Sequence, residues 1–566
     1  MNLNTKATAQ NTYDAIVIGS GLSGGWAAKE LTEKGLTVLM IERGHQLEHI
    51  KGYKTALEKP WEFQHRGRIT EKQRKSHEFL SRDYPYSEHN ASYWFRDADA
   101  PYEEKQKFDW YRPDIVGGKS IMWGRQSYRW SDLDFGANAR DGHGTDWPVR
   151  YKEIEPWYAY VETFAGISGQ KEGYGPLPDS VFMPPMEMNC VERQVKTGIE
   201  SNFKNRIMTI GRTANITVKH HGRGPCQYRN LCSRGCPFGA YFSTQSTTLP
   251  PAMATGRLTM LTDSIVSEVM YDKEKGRATG VRIIDANSKQ TSEYFSHLLF
   301  VNASTVGTAF ILLNSTSDRF PDGLGNDSGV LGRYLMDHHF RCGASGEAPG
   351  FEDKYYYGRR ANGIYVPRFR NVDQSEKRDY VRGFGYQGGA SRTGWQRGIA
   401  EMGVGKDFKE MLSQPGMWQM GLGGFGECLP YKDNRVYLDR DKRDKWGLPT
   451  VVFDAGFKEN EHRMRKDMIN DAAEMLDAAG VKNINTFDSG STPGQAIHEM
   501  GTARMGKDPK SSVLNKWNQM HAVKNVFVTD GSFMCSTACQ NPSLTFMAMT
   551  ARACDYAVKE MKKMNI

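Results

Sequence analysis

Residues Tyr13 to Glu42, YDAIVIGSGLSGGWAAKELTEKGLTVLMIE, constrain what this chain can fold into more than any other stretch. The mostly apolar run from Asp14 to Ile18 is long enough for a buried parallel strand and too short for a helix. Gly19, Gly21 and Gly24 follow on the G-x-G-x-x-G spacing. The first glycine allows a tight turn, the second lets backbone approach a pyrophosphate, and the third lets helix and strand pack closely. Ala27, Ala28 and Leu31 give the next helix a face to bury, and Gly35 stands where a helix ends. A second strand, Thr37 to Ile41, runs into Glu42. A carboxylate there accepts hydrogen bonds from both hydroxyls of a ribose and repels a 2′-phosphate. Glycines alone would be a weak signal. Strand, triplet, helix, strand and acid together predict a βαβ unit that binds an adenine dinucleotide, with FAD and NAD both open.

The chain has 566 residues, enough for about three or four domains. Hydrophobic residues at 39% and charged residues at 25% describe a globular protein rather than a disordered one. The net charge of +8 is spread over 74 basic and 66 acidic residues without a basic block, which argues against nucleic acid as a partner. No run approaches the ~18 apolar residues of a membrane span. The opening MNLNTKATAQN has neither the apolar core of a secretion signal nor a twin arginine, so no export address is expected in it. Nine cysteines, an odd number, point to reduced thiols or metal ligation.

From Lys51 to Trp110 the sequence is polar and aromatic with weak periodicity, and reads as an excursion without assigned chemistry. In Tyr111-Arg-Pro-Asp-Ile-Val-Gly-Gly-Lys-Ser-Ile-Met-Trp-Gly124, paired glycines before Ser120 suit backbone amides facing a phosphate or flat ring, or simply a surface loop. A helical, aromatic-rich region starts after Asp146-Trp-Pro. Leu299 to Ala303 reads as a strand entering a helix, Thr305 to Leu313. The texture from Ala344 to Pro449, Gly-rich with short alternating runs, predicts an antiparallel sheet with long loops. Met464, Met468, Ile469, Ala472, Met475 and Leu476 keep helical spacing and predict a buried face. A strand at Val526 to Thr529 and a helix after Asn541 return to a nucleotide-type fold.

The fingerprint, the Gly-Gly-x-Ser loop at Gly117 to Ser120 and the Trp-Pro before a helix resemble the glucose–methanol–choline (GMC) family of FAD oxidoreductases. Gly329-Val-Leu-Gly-Arg-Tyr-Leu-Met-Asp-His-His339 resembles its LGRxLMDH segment. His498-Glu-Met-Gly-Thr-Ala-Arg-Met-Gly506 and Asn541-Pro-Ser-Leu-Thr545 resemble its C-terminal catalytic segments. The resemblance implies an α/β (α+β overall) architecture: a Rossmann-like FAD-binding domain built from discontinuous segments, with an inserted antiparallel-sheet substrate domain. The boundaries expected are 12–145, 222–343 and 490–566 for the first, and 146–221 and 344–489 for the second.

Cys226, Cys232 and Cys236 form C-x5-C-x3-C in a loop, 223–239, broken by glycine and proline. Zinc usually takes four ligands, often in closer pairs, whereas iron–sulfur clusters use cysteine thiolates in proline-flanked loops. Three local ligands suit a 3Fe–4S cluster, and a 4Fe–4S cluster would need a fourth such as Cys190. Zinc, free thiols and a disulfide remain open. Arg223, Arg229 and Arg234 are expected to offset thiolate and sulfide charge. The other cysteines, including Cys535, Cys539 and Cys554, read as small buried residues. The loop is similar to those of the bacterial iron–sulfur sugar dehydrogenases of the GMC family, and its wording, CQYRNLCSRGCPFGA, is most similar to the glucoside 3-dehydrogenase group.

The resemblance implies a catalytic base at His498 with Asn541 as its polar partner. Histidine suits this task because its ordinary pKa lies near neutrality. It implies FAD contacts at Gly19, Gly21, Gly24, Glu42, Gly117, Gly118, Ser120, Val266, Asp530, Gly531, Asn541 and Pro542, and packing roles for His338 and His339. No histidine lies in 116–124 to attach FAD covalently. The expected activity is oxidation of a secondary hydroxyl, C-3 of glucosides, with hydride going to flavin and electrons leaving through the cluster. Gluconate 2-dehydrogenase, glucose 1-dehydrogenase, an oxygen-using oxidase and an inactive carbohydrate-binding flavoprotein are the alternatives. Relatives imply a small subunit that carries an export signal, a cytochrome, and periplasmic location by co-export. A cytoplasmic enzyme would look the same.

Overall fold

The computed structural model describes residues 11–566 apart from 60, 66, 357, 374–376 and 395–402. Residues 1–10, read above for an export signal, lie outside that set. The opening unit folds as its residues dictate, into strand β1 (Thr12–Ile18), helix α1 (Leu22–Glu33) and strand β2 (Val38–Ile41). Ala27, Ala28 and Leu31 are fully buried, and Gly35 ends the helix at φ +98°. Gly24 lies so close to the turn that a Cβ there would sit 1.8 Å from the Gly19 carbonyl oxygen.

β1 pairs in parallel with β2 on one side and with strand Thr291–Val301 on the other. β2 pairs in parallel with Leu258–Leu261. The long strand Thr291–Val301 changes partner half-way along. Its first half pairs antiparallel with Arg277–Asp285, and its second half pairs parallel with Val526–Val528. These strands belong to a seven-stranded sheet, and the C-terminal ends of the parallel ones all open at one edge. Ligands of α/β sheets bind at such an edge. Helix Ser543–Lys562 packs between α1 and helix Tyr151–Ala165 over this sheet.

A six-stranded sheet runs in the order 482–488, 342–347, 418–426, 384–392, 364–366, 209–210, with antiparallel pairing throughout. Helix Glu459–Ala478 covers one of its faces. Met464, Met468, Ala472, Met475 and Leu476 bury against Phe384, Tyr386, Met420 and Leu422, with Ile469 at the margin. Along Trp418–Gly426 buried and half-buried residues alternate, so the opposite face is open.

A third sheet joins strands from both sides of residue 344. The hairpin of Arg435–Arg443 and Pro449–Asp454 pairs with Glu103–Glu104. Val436, Val451 and Phe453 pack with Tyr102, Phe108 and Trp110 against helix Thr305–Asn314, so the hairpin finds its apolar partners on the nucleotide side. Among the described residues no helix is long and apolar enough to cross a membrane.

Candidate active site

The open edge of the parallel strands faces a cavity of about 770 Å³. Gly19 and Gly21 line it from the first turn, Glu42 from the end of β2, Val266 from the edge strand Ser264–Asp272, Asn302 from the end of strand Thr291–Val301, and Asp530 and Gly531 from the last strand. α1 and helix Ser543–Lys562 both begin here without a side-chain cap, which leaves their first N–H groups to meet an anion. Glu42 accepts from Ser20 N at 2.9 Å, Ser20 Oγ at 2.6 Å and Gly44 N at 2.8 Å, while burial raises its pKa. Asp530 accepts from Ser532 N at 3.0 Å and Thr308 Oγ1 at 2.5 Å.

Some expected contacts lie off the cavity wall. Gly24 is the close-packing point of α1. Gly117, at φ +92°, makes the turn that presents Gly118 and Lys119 to the cavity. The Ser120 hydroxyl is buried and donates to Gly117 O at 2.6 Å, so it braces the turn rather than facing outward. Pro542 precedes the last helix, and its neighbours Asn541 and Ser543 line the cavity.

At the far end of the cavity His498 and Asn541 come together, with His498 Nε2 3.0 Å from Asn541 Nδ2. Behind His498 stands His338, Nδ1 to Nδ1 at 2.9 Å. His338 Nε2 bonds the Ala538 carbonyl, so it carries the proton. Burial pushes the His338 pKa down to about 4, which keeps the ring neutral and its Nδ1 an acceptor. His498 must then donate from Nδ1, and its Nε2 keeps a lone pair. Asn541 donates to that lone pair, and its own oxygen accepts from Gln387 Nε2 at 2.7 Å. Burial above all, with the Lys119 charge beside it, lowers the His498 pKa well below the ordinary imidazole value. Lys119 Nζ holds both oxygens of Glu499 at 2.8 Å beside it.

The loop carrying His498 is set by Asp337, which accepts backbone N–H bonds from Gly494 at 2.7 Å, Ala496 at 3.1 Å and His498 at 3.0 Å. Ile497 is held at φ +60°, a costly conformation for a β-branched residue, which the Asp337 bonds help to offset. The Leu-Met-Asp-His-His segment, expected to pack around a cofactor, thus supplies both the anchor and the partner of the candidate base. His339 is also fully buried, with its ring 5.6 Å from that of Phe457.

Two family models, both described as GMC oxidoreductase, match residues 13–340 and 430–550. The chain belongs to the GMC oxidoreductase family. It is similar to 2-methyl-1,2-propanediol dehydrogenase of Mycolicibacterium austroafricanum, with 30% identity over 97% of this chain and 96% of that one. It is also similar to the fructose dehydrogenase large subunit of Gluconobacter japonicus, with 25% identity over 97% and 98%. Among solved structures, formate oxidase of Aspergillus oryzae shares the fold, with a TM-score of 0.62, 12% identity, and coverage of 98% and 99%. As a GMC oxidoreductase the chain is an FAD-dependent enzyme acting on CH–OH groups.

The residues of the cavity fit FAD. Asn302 accepts from Thr529 N at 3.1 Å and Oγ1 at 2.8 Å, yet its buried amide nitrogen has no partner among the described residues. Arg43 lies over the Phe95 ring at 4.0 Å with two buried nitrogens unpartnered, and burial lowers its pKa to about 10. Buried donors without partners are costly, and a long polar ligand in this cavity supplies acceptors.

The cysteine loop fits a cluster less well. Cys226, Cys232 and Cys236 are half-buried free thiols, and Cys232 reaches the cavity wall. Among the described residues no group of three or more His, Cys, Asp or Glu is arranged to hold a metal ion. Cys190, considered as a fourth ligand, instead starts helix Cys190–Asn202 and packs against the core of the six-stranded sheet. The three arginines do not face the thiols either. Arg223 donates to Ala165 O, Arg229 to Ala56 O and Arg234 to Glu58 O. Cys535, Cys539 and Cys554 are buried as expected.

The stretch from Lys51 to Trp110 carries more of the site than its sequence suggested: Tyr84, His89, Trp94, Phe95 and Trp110 all line the cavity. Its signal was aromatic density without strand or helix period.

Proposed function

We propose that this enzyme oxidises a secondary hydroxyl of a carbohydrate, C-3 of a glucoside giving a 3-keto sugar, with His498 as the base. The observation that carries the catalytic reading is the tautomer chain from Ala538 through His338, which leaves the lone pair on His498 Nε2 pointing at Asn541 and the cavity. A substrate hydroxyl placed between these two side chains donates its proton to His498 Nε2 and accepts from Asn541 Nδ2. FAD in this cavity supplies the acceptor for the hydride. The low proton affinity of His498 keeps it ready as a base through neutral pH. When it takes the proton, His338 Nδ1 accepts the hydrogen bond from the resulting imidazolium, as an orienting partner does in hydrolytic triads.

Sugar as the substrate class is supported by the fructose dehydrogenase relative and by the amides and hydroxyls along the cavity. C-3 of a glucoside rests on the wording of the cysteine loop. A small alkyl diol is the second reading, favoured by the 30% identical propanediol dehydrogenase. Gluconate, the C-1 position of glucose, and oxygen as acceptor are tested alongside. A 3Fe–4S cluster at Cys226, Cys232 and Cys236 is also proposed. It requires the loop to close around the inorganic core from the placement described above. A small partner subunit, a cytochrome acceptor and periplasmic co-export follow the same line, with a cytoplasmic enzyme as the alternative.

One experiment separates these readings: anaerobic purification with iron and sulfide analysis, then flavin bleaching by methyl glucoside, cellobiose, glucose, gluconate and 2-methyl-1,2-propanediol. Bleaching by glucosides with a 3-ketone product is expected, and bleaching only by the diol overturns the sugar reading. Protein that carries flavin but no iron or labile sulfide removes the cluster and leaves the dehydrogenase.

The orienting role of His338 has its own expected result. His338→Ala lowers kcat/KM about tenfold or more, the size of one lost hydrogen bond in the transition state, with FAD still bound. Because a neutral His338 accepts from the His498 imidazolium, its loss makes that cation harder to form, so the acid limb of kcat/KM, already below about pH 6.5 in the parent through burial of His498, moves lower still in the variant. An unchanged rate and an unchanged pH profile would return His338 to a packing role.

A further inference from the structure

From His498 a line of aromatic rings leads out of the site. Phe425 lies 6.3 Å from the His498 ring, Phe340 stacks on Phe425 at 5.3 Å and 25°, and Tyr84 meets Phe340 edge-on at 6.2 Å. All three line the cavity, and the Tyr84 ring is 58% exposed. Tyr84 is not a loose surface ring, because its hydroxyl donates to Gln495 O at 3.1 Å. The neighbouring segment is pinned by Arg341 to Asp83 at 2.8 Å. Tyr84 also meets the Tyr111 ring at 6.5 Å, and an aromatic ring fixed in place with 58% of its surface free offers a contact face to a flat, half-apolar ligand.

Beside Phe425 the sheet is cleared. Gln387 stands directly opposite Gly423 across the strand pair, so Gln387, Gly423 and Phe425 share the open face. Neither φ nor packing demands glycine at Gly421 or Gly423. Both lie outside the left-handed region, and a Cβ at either would meet nothing nearer than 3.6 Å. What glycine leaves there is room.

We propose that the aromatic wall Phe425–Phe340–Tyr84 and the bare strand beside it form an outer subsite. It takes the second ring of an extended glycoside while the first ring is presented to His498. This inference rests on the carbohydrate reading above. The apolar C–H face of a pyranose, or an aryl aglycone, packs on the rings, and its hydroxyl edges remain for solvent and for the Gln387 amide. The wall therefore sets preference for a disaccharide over a methyl glycoside, and it does so through binding rather than the chemical step.

The test compares cellobiose with methyl glucoside on the FAD-loaded enzyme, with an artificial electron acceptor. Tyr84→Ala is expected to lower kcat/KM for cellobiose about tenfold more than for methyl glucoside, mostly through KM. Tyr84→Phe keeps the ring and keeps the preference. Gly423→Val, which a strand accepts readily, narrows the space and also disfavours cellobiose. Equal losses on both sugars, or no change on either, would overturn the subsite and leave the carbohydrate reading intact. Failure of both saccharides to bleach the parental flavin would overturn the carbohydrate reading and the subsite with it.

Discussion

Replacing His498 with alanine is expected to lower kcat/KM by about 10²–10⁴-fold, the usual cost of losing a general base, while FAD and thermal stability are retained. The size of the effect follows from how much of the geometry converges on one nitrogen. The Ala538 carbonyl fixes His338, His338 fixes the His498 tautomer, and Gln387 fixes the Asn541 amide that faces the lone pair. Among the described residues the other imidazole on the cavity wall is His89, held by Ser87 and Ser233, and His338 is fully buried and committed through both nitrogens. Retained stability follows from the anchor. Asp337 binds the loop through the backbone N–H groups of Gly494, Ala496 and His498, which the substitution leaves in place. Asn541→Ala is expected to cost less, since the base survives and only its aim is lost. Anaerobic single-turnover bleaching of the flavin by the substrate is the measurement to make, because it isolates hydride transfer from product release. Parental bleaching rates in the alanine variant would move the base elsewhere.

The sequence and the structure divide unevenly. The nucleotide unit was legible because its constraints are local. A glycine needed for a turn and a carboxylate at a strand end lie within one βαβ stretch. The helix face of Met464, Met468, Ala472, Met475 and Leu476 was legible for the same reason, since its period survives in one dimension. The pairing of His498 with Asn541 was legible only by resemblance, for nothing in their spacing brings two loops together. The approach of His338 to His498 leaves no mark in sequence; only the fold sets Nδ1 against Nδ1. The arginines around the cysteine loop were misread for a related reason. Proximity in sequence suggested charge neutralisation, but each guanidinium reaches a backbone carbonyl of another segment, where a five-donor group satisfies an acceptor that no secondary structure serves. The hairpin at 435–454 carries no local sign of its partners; its apolar face packs with Tyr102, Phe108 and Trp110, more than 300 residues earlier in the chain.

Gly24→Ala is expected to yield protein without FAD and with a markedly lower Tm, although it adds a single methyl group. That methyl carbon would lie 1.8 Å from Gly19 O and 2.8 Å from Gly19 C, both backbone atoms, so no side-chain rotation relieves the clash. Gly19 cannot retreat. It sits at φ +93°, and its own Cα faces the Asn302 carbonyl so closely that a Cβ on it would be 2.4 Å from that oxygen. The remaining movement is of α1 away from β1. That shift opens the contacts of Trp26, Ala27, Ala28 and Leu31, all fully buried, and draws the uncapped first turn off the cavity. Overpacking of this kind typically costs about 1–3 kcal/mol, and loss of the bound cofactor removes further stabilisation by linkage. Gly21→Ala is the control, because a Cβ there meets nothing within 4 Å of the protein and points at space the ligand would use. That variant is expected to fold at close to parental stability as apoprotein and to bind FAD more weakly. Flavin absorbance per chain and Tm with and without added FAD distinguish the two. Full flavin content and parental Tm in Gly24→Ala would mean that α1 does not close on the first turn, and the cofactor cradle would then have to be built differently.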